Sequence, residues 1–177
     1  MIWPIFLIEG NDKIEPINEL PGVNRYTVDK LIGMASKAFE LGIKCVALFP
    51  RTPTNLKTQN CEESYNPENL VNKATRLLKK KIPDLGIMLD VALDPYNSLG
   101  HDGLVKDDKI LNDETLEILI KQSLVQAESG ADILGPSDMM DGRVKLIREN
   151  LEKNNFKNTL ILSYSAKFSS GFYGPFR

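Results

Sequence analysis

Gly86-Ile87-Met88-Leu89-Asp90-Val91-Ala92-Leu93-Asp94 is the stretch that decides the fold. Successive side chains of a strand point to opposite faces. Here one parity, Ile87, Leu89, Val91 and Leu93, is wholly apolar, while the other carries Asp90, Ala92 and Asp94. A strand in an open parallel sheet is buried on both faces and should read as a more continuous apolar run. A barrel strand has one greasy face under the helices and one face toward the lumen. Acids on that second face reach the carboxyl-end mouth, where barrels keep their active sites. The stretch therefore predicts a barrel strand with Asp90 and Asp94 inside.

Working outward, strand-like and helix-like segments alternate. Ile2 to Ile8 reads as a first strand and Cys45 to Phe49 as a second, closed by Pro50. Between them Val28, Leu31, Ile32, Ala35, Ala38 and Phe39 recur at helical spacing, with Thr27 as N-cap. Asn66-Pro67 reads as a cap and first-turn proline for a helix through Leu78. Asn112 reads as the cap of a third helix ending at Gly130, and Ala131 to Leu134 is a fourth strand. Gly142 to Lys153 is a fourth helix, and Thr159 to Ser165 a fifth strand. Such alternation means a parallel sheet covered by helices. No Gly-x-Gly-x-x-Gly follows the first strand, so a dinucleotide fold loses its main support. The expectation is α/β, a (β/α)₈ barrel of which about the first five βα units are present. A complete barrel takes about 250 residues, so residues 1–177 read as a single partial barrel domain with the C-terminal strands missing.

The fifth strand ends on chemistry. In Thr159 to Lys167 one parity is Leu160, Leu162, Tyr164 and Ala166, and the other is Ile161, Ser163, Ser165 and Lys167. The second set is read as the lumen face and the first, Tyr164 included, as core. A lysine held among hydroxyls at a strand end is a candidate amine nucleophile for a carbonyl. Alone, such a lysine is more often a solvated surface residue; the motifs around it argue otherwise.

Bulk numbers exclude several classes. Twenty-two Lys and Arg against 24 Asp and Glu leave a net charge of −2, with no basic run that would suggest nucleic acid. The N-terminal apolar run Met1 to Ile8 is too short to span a membrane and lacks a signal peptide's flanks. Cys45 and Cys61 make neither a disulfide framework nor a metal spacing. Composition alone points to a cytoplasmic protein.

Longer motifs then carry a resemblance. They are Asp90-Val91-Ala92-Leu93-Asp94-Pro95-Tyr96, Gly100-His101-Asp102-Gly103, Gly135-Pro136-Ser137-Asp138-Met139-Met140-Asp141-Gly142-Arg143, Ser163-Tyr164-Ser165-Ala166-Lys167 and Phe172-Tyr173-Gly174-Pro175-Phe176-Arg177. Together they resemble the delta-aminolevulinic acid dehydratase (porphobilinogen synthase) family, in register over nearly the whole chain. The resemblance implies a (β/α)₈ barrel lyase of heme and porphyrin biosynthesis. It would condense two molecules of 5-aminolevulinate to porphobilinogen, with loss of water, through lysine Schiff bases. By position Lys167 resembles one of two such lysines, and Asp90 and Ser137 resemble residues that orient groups or move protons at the reacting centre. Arg177 resembles the arginine that grips a substrate carboxylate, Tyr173 and Phe176 wall the pocket, and Asp94 joins them in holding substrate.

The resemblance also bears on metals and partners. Where zinc-dependent members carry cysteines this chain has Ala92, Asp94 and Asp102, so no catalytic zinc is expected. Magnesium or potassium in a supporting role would suit oxygen ligands, but no metal ligand is assignable in this chain. His101 is assigned neither as ligand nor as base. A homo-oligomer of the octamer type is implied, in the cytoplasm or, for a plant or alga, the plastid stroma. The family's N-terminal arm and second lysine have no counterpart here, so the isolated chain is expected to be poorly active or inactive. Two other readings stand beside this one. One is another Schiff-base barrel of the aldolase type, and the other is an inactive half-barrel that needs a partner chain to close.

Overall fold

A computed structural model describes residues 1–168. Its main sheet has the order β2-β3-β1-β4-β5-β8-β9. The strands are β1 (Ile2–Leu7), β2 (Ile14–Pro16), β3 (Asn24–Tyr26), β4 (Cys45–Pro50), β5 (Gly86–Val91), β8 (Ile133–Pro136) and β9 (Leu160–Ile161). From β1 through β4, β5 and β8 to β9 every neighbour is parallel and follows in chain order. A doubly wound sheet reverses its strand order at a switch point. Here no reversal occurs, and the strands form a barrel sector.

Register explains which residues face which way. Ile5, Leu48, Leu89, Leu134 and Ile161 are successive partners across the five strands. The first four are almost wholly buried and share one core with Leu31, Ala35, Val71, Leu78, Leu119, Ile147 and Leu151. Those belong to α1 (Val28–Glu40), α2 (Leu70–Lys81), α3 (Asn112–Glu128) and α4 (Arg143–Lys153). Parallel crossovers are right-handed, so successive helices land on the same side of the sheet. One step along, Pro4, Ala47, Met88, Ile133 and Leu160 form the inner layer. Residues at this level and above line an open cleft bounded by Ile2, Pro4, Ala47, Phe49, Met88 and the segment from Leu162 to Tyr164.

The third strand keeps its expected faces but ends at Val91, short of Leu93, and Asp94 lies in the turn beyond it. Ile87, Leu89, Val91 and Leu93 have no exposure and point under the helices. Asp90 takes the other face. Behind the strand, side-chain amides of α3 hold its carbonyls: Gln126 Nε2 donates to Asp90 O at 2.8 Å and Gln122 Nε2 to Ala92 O at 3.1 Å. Both glutamines are fully buried.

Details differ from expectation. Asn112 is the first residue of α3 rather than its cap, which is Leu111 and offers no side-chain bond, and the fourth strand is shifted two residues along, to Ile133–Pro136. The cap of α2 is Asn69, whose side chain accepts from Asn72 N, while Asn66 closes the preceding turn onto Glu68 N. Thr27 does begin α1, but its hydroxyl bonds the Lys13 backbone and makes no cap bond to a helix amide. Two short hairpins were not foreseen: β2–β3 on the edge of β1, and β6 (Val105–Lys106) with β7 (Lys109–Ile110). Asp107 and Asp108 carry positive φ at that second turn, as a two-residue hairpin loop requires.

Candidate active site

The site grows from the carboxyl ends of β5 and β8. Asp90 pairs with Gly135 one residue before β5 ends at Val91, and Asp94 follows in the turn beyond. Burial is the main reason the Asp90 carboxyl is pushed up to about 7; repulsion from Asp94 and Asp102 adds to it. A Ser137 hydroxyl on the carboxyl and the charge of Lys167 pull the other way. Asp90 Oδ1 has no hydrogen-bond partner among the described residues. Asp94 is raised to about 6, again first by burial and then by Asp102, with Lys167 opposing. Two carboxyls that share a half-buried wall cannot both ionise cheaply. Near neutrality this wall holds and releases protons.

Ser137 is buried at the end of β8, its amide bonded to Val91 O at 3.3 Å. Asp138 beside it has a fully shielded side chain 3.2 Å from Arg143 Nε. Burial raises its carboxyl, which the Met140 amide and Arg143 oppose. Gly142, at φ 82°, lets the chain turn sharply into α4. Asn112, at the start of α3, exchanges two hydrogen bonds with the Asp141 backbone and ties the two loops together. His101 is structural here: its Nδ1 accepts from Gly103 N at 2.9 Å.

Lys167 comes to this wall by a different route from the one the alternation suggested. Leu134 lies under the helices and pairs with Ile161, so Ile161 and, by alternation, Ser163 take the helix side. Leu162 and Tyr164 take the inner side, and their amides continue the ladder onto Leu134 O and Pro136 O. The greasy parity of β9 is thus the lumen face, not the serine-bearing one. Tyr164 is 38% exposed on the inner wall rather than core. Beyond Tyr164 the chain leaves the sheet, and the side chain of Lys167, 29% exposed, brings Nζ to 3.8 Å from Asp102 Oδ2. Its charge is felt by Asp90, Asp94 and Asp138. Lys167, Asp90, Asp94 and Ser137 are therefore brought together. Asp102 and Asp138 belong with them, although neither was singled out as a site residue from the sequence. Their signal was position, in two loops that follow neighbouring strand ends. Tyr173, Phe176 and Arg177 lie outside the described residues.

Ala92 offers no ligand atom, and Cys61 is a buried thiol pushed up to about 12, mainly by burial. Among the described residues no group of three or more His, Cys, Asp or Glu is placed to hold a metal ion.

The family profile described as delta-aminolevulinic acid dehydratase matches residues 1–177. This chain belongs to that family. It is 52% identical, over its whole length, to delta-aminolevulinic acid dehydratase of Bradyrhizobium diazoefficiens, covering 50% of that protein. It is 50% identical to the chloroplastic dehydratase of Chlamydomonas reinhardtii, with 99% of this chain and 46% of the relative covered. The solved dehydratase of Toxoplasma gondii, in complex with its reaction product porphobilinogen, superposes with a TM-score of 0.96 at 46% identity. That match covers 99% of this chain and 50% of the other. The chain thus spans about half the length of the dehydratases it matches, and its barrel sector is that family's barrel. Among the described residues no helix is long and apolar enough to cross a membrane.

Proposed function

We propose that the protein carrying this chain is a porphobilinogen synthase, condensing two molecules of 5-aminolevulinate to the pyrrole with loss of two waters. The observation that supports this best is the convergence of one amine, Lys167, with a half-buried carboxyl wall. That wall lies at the mouth of a barrel sector belonging to the dehydratase family. In this reading the neutral Lys167 amine attacks the ketone carbon of a substrate. The new nitrogen–carbon bond forms, the carbon–oxygen bond breaks, and the oxygen leaves as water after taking up two protons. The protonated imine then withdraws electrons from the neighbouring carbon, which loses a proton. Asp90, poised at about 7, is suited to give and take protons in these steps. Ser137 orients the same carboxyl.

Asp94 is assigned to the substrate's amino end. Arg177 is assigned to a substrate carboxylate, for which a planar guanidinium is fitted, and Tyr173 and Phe176 to the pocket wall. The partners proposed are 5-aminolevulinate and further copies of the same protein. The compartment is the cytoplasm, or the plastid stroma in a photosynthetic eukaryote. Magnesium or potassium remains the proposed supporting cation. Borohydride reduction in the presence of 5-aminolevulinate tests the central role. Peptide mapping should find the reduced adduct on Lys167, and Lys167→Met should abolish it there. An adduct elsewhere, or none, would overturn the assignment.

A further inference from the structure

Arg143 breaks a local rule. It is the first residue of α4, behind Gly142 and with no acidic side chain in the first turn. A helix amino terminus carries partial positive charge, so a cation there is disfavoured. Helix stability therefore does not account for it, and its contacts do. Nε lies 3.2 Å from the shielded Asp138 Oδ2, Nη1 donates to Met140 O at 3.0 Å, and Nη2 reaches Tyr164 O at 3.5 Å. One guanidinium thus joins the loop that carries Ser137 to the final ladder-bonded residue of the β9 segment, three residues before Lys167.

We infer that Arg143 is a positioning residue for Lys167. Its fork fixes the point at which the chain leaves the sheet, and it occupies Asp138, which would otherwise compete for the Lys167 ammonium. A lysine at this position would supply the charge but not the several nitrogens that reach Asp138, Met140 O and Tyr164 O at once. The inference rests on the reading of Lys167 as the imine-forming amine.

Two measurements on the whole protein separate the possibilities, applied to Arg143→Gln and Arg143→Lys. First, borohydride trapping at saturating 5-aminolevulinate should slow on the order of ten- to a hundredfold in both variants, as expected of a reacting group misplaced by about 1 Å. The half-saturating concentration should stay within about twofold, because substrate binding is not Arg143's task. Second, amide hydrogen exchange in residues 158–168 should quicken in both variants while β5 exchanges as before. Unchanged β5 also shows that the fold survives, and if Arg143→Gln fails to fold, Arg143→Lys carries the test. Full trapping in Arg143→Lys would mean that charge alone matters and would overturn the inference. Unchanged exchange in residues 158–168 would overturn it independently of any chemistry. No trapping in the unsubstituted protein would instead sink the assignment of Lys167, and with it what Arg143 is said to position.

Discussion

Asp90 has moved from a carboxylate's ordinary range to about 7 because leaving water costs its charged form more than its neutral one. The consequence for stability has a definite sign. The folded state favours the proton, so the group stabilises the fold fully below about 3.8. That contribution is lost as pH rises toward 7. Asp94 acts in the same direction, over the interval up to about 6. Urea titrations should show Asp90→Asn gaining on the parent as pH rises from 4 to 8, by about 2–4 kcal/mol. A constant difference across that interval would contradict the buried, protonated acid. The identity of this residue's face was legible from the alternation of β5 alone. Its neighbours Asp102 and Asp138 were not, because loop residues carry no periodicity that says where they point.

At the scale of elements, the strands and helices that bury a full apolar face were readable, and those that do not were missed. The hairpins β2–β3 and β6–β7 are two or three residues long, with little buried side chain to leave a pattern. For β9, alternation separates two faces but does not say which is the lumen. On an inner wall built from Pro4, Ala47, Met88 and Ile133, the apolar parity belongs inside. Register against Leu134 decides the matter, and register is a tertiary property. The start of α2 turns on a choice between two asparagines in Asn66-Pro67-Glu68-Asn69. Asn69 is buried and its side chain satisfies an amide of the first turn. Asn69→Ala should cost about 1–2 kcal/mol in a chemical unfolding experiment, and Asn66→Ala less.

The molecule as a whole presents an inner wall without a cover among the described residues. Ile2, Pro4, Ala47, Phe49, Met88 and Leu162 line an open cleft, and Leu160 and Leu162 at the β9 edge are 60% and 49% exposed. Uncovered apolar wall and an unpaired strand edge both favour association. A polypeptide of these 177 residues should sediment as concentration-dependent oligomers, and Leu162→Lys should shift it toward the monomer. Monomeric behaviour of the unsubstituted chain at tens of micromolar would contradict this view of the wall. Beyond the sheet ladder, the carbonyls of Asp90 in β5 and of Ala92 just past it are held from the rear by the amides of Gln126 and Gln122. Burial leaves the acids beside that strand holding hydrogen ions near neutrality, so anything cationic that docks at the mouth is expected to displace hydrogen ions into the buffer as it arrives.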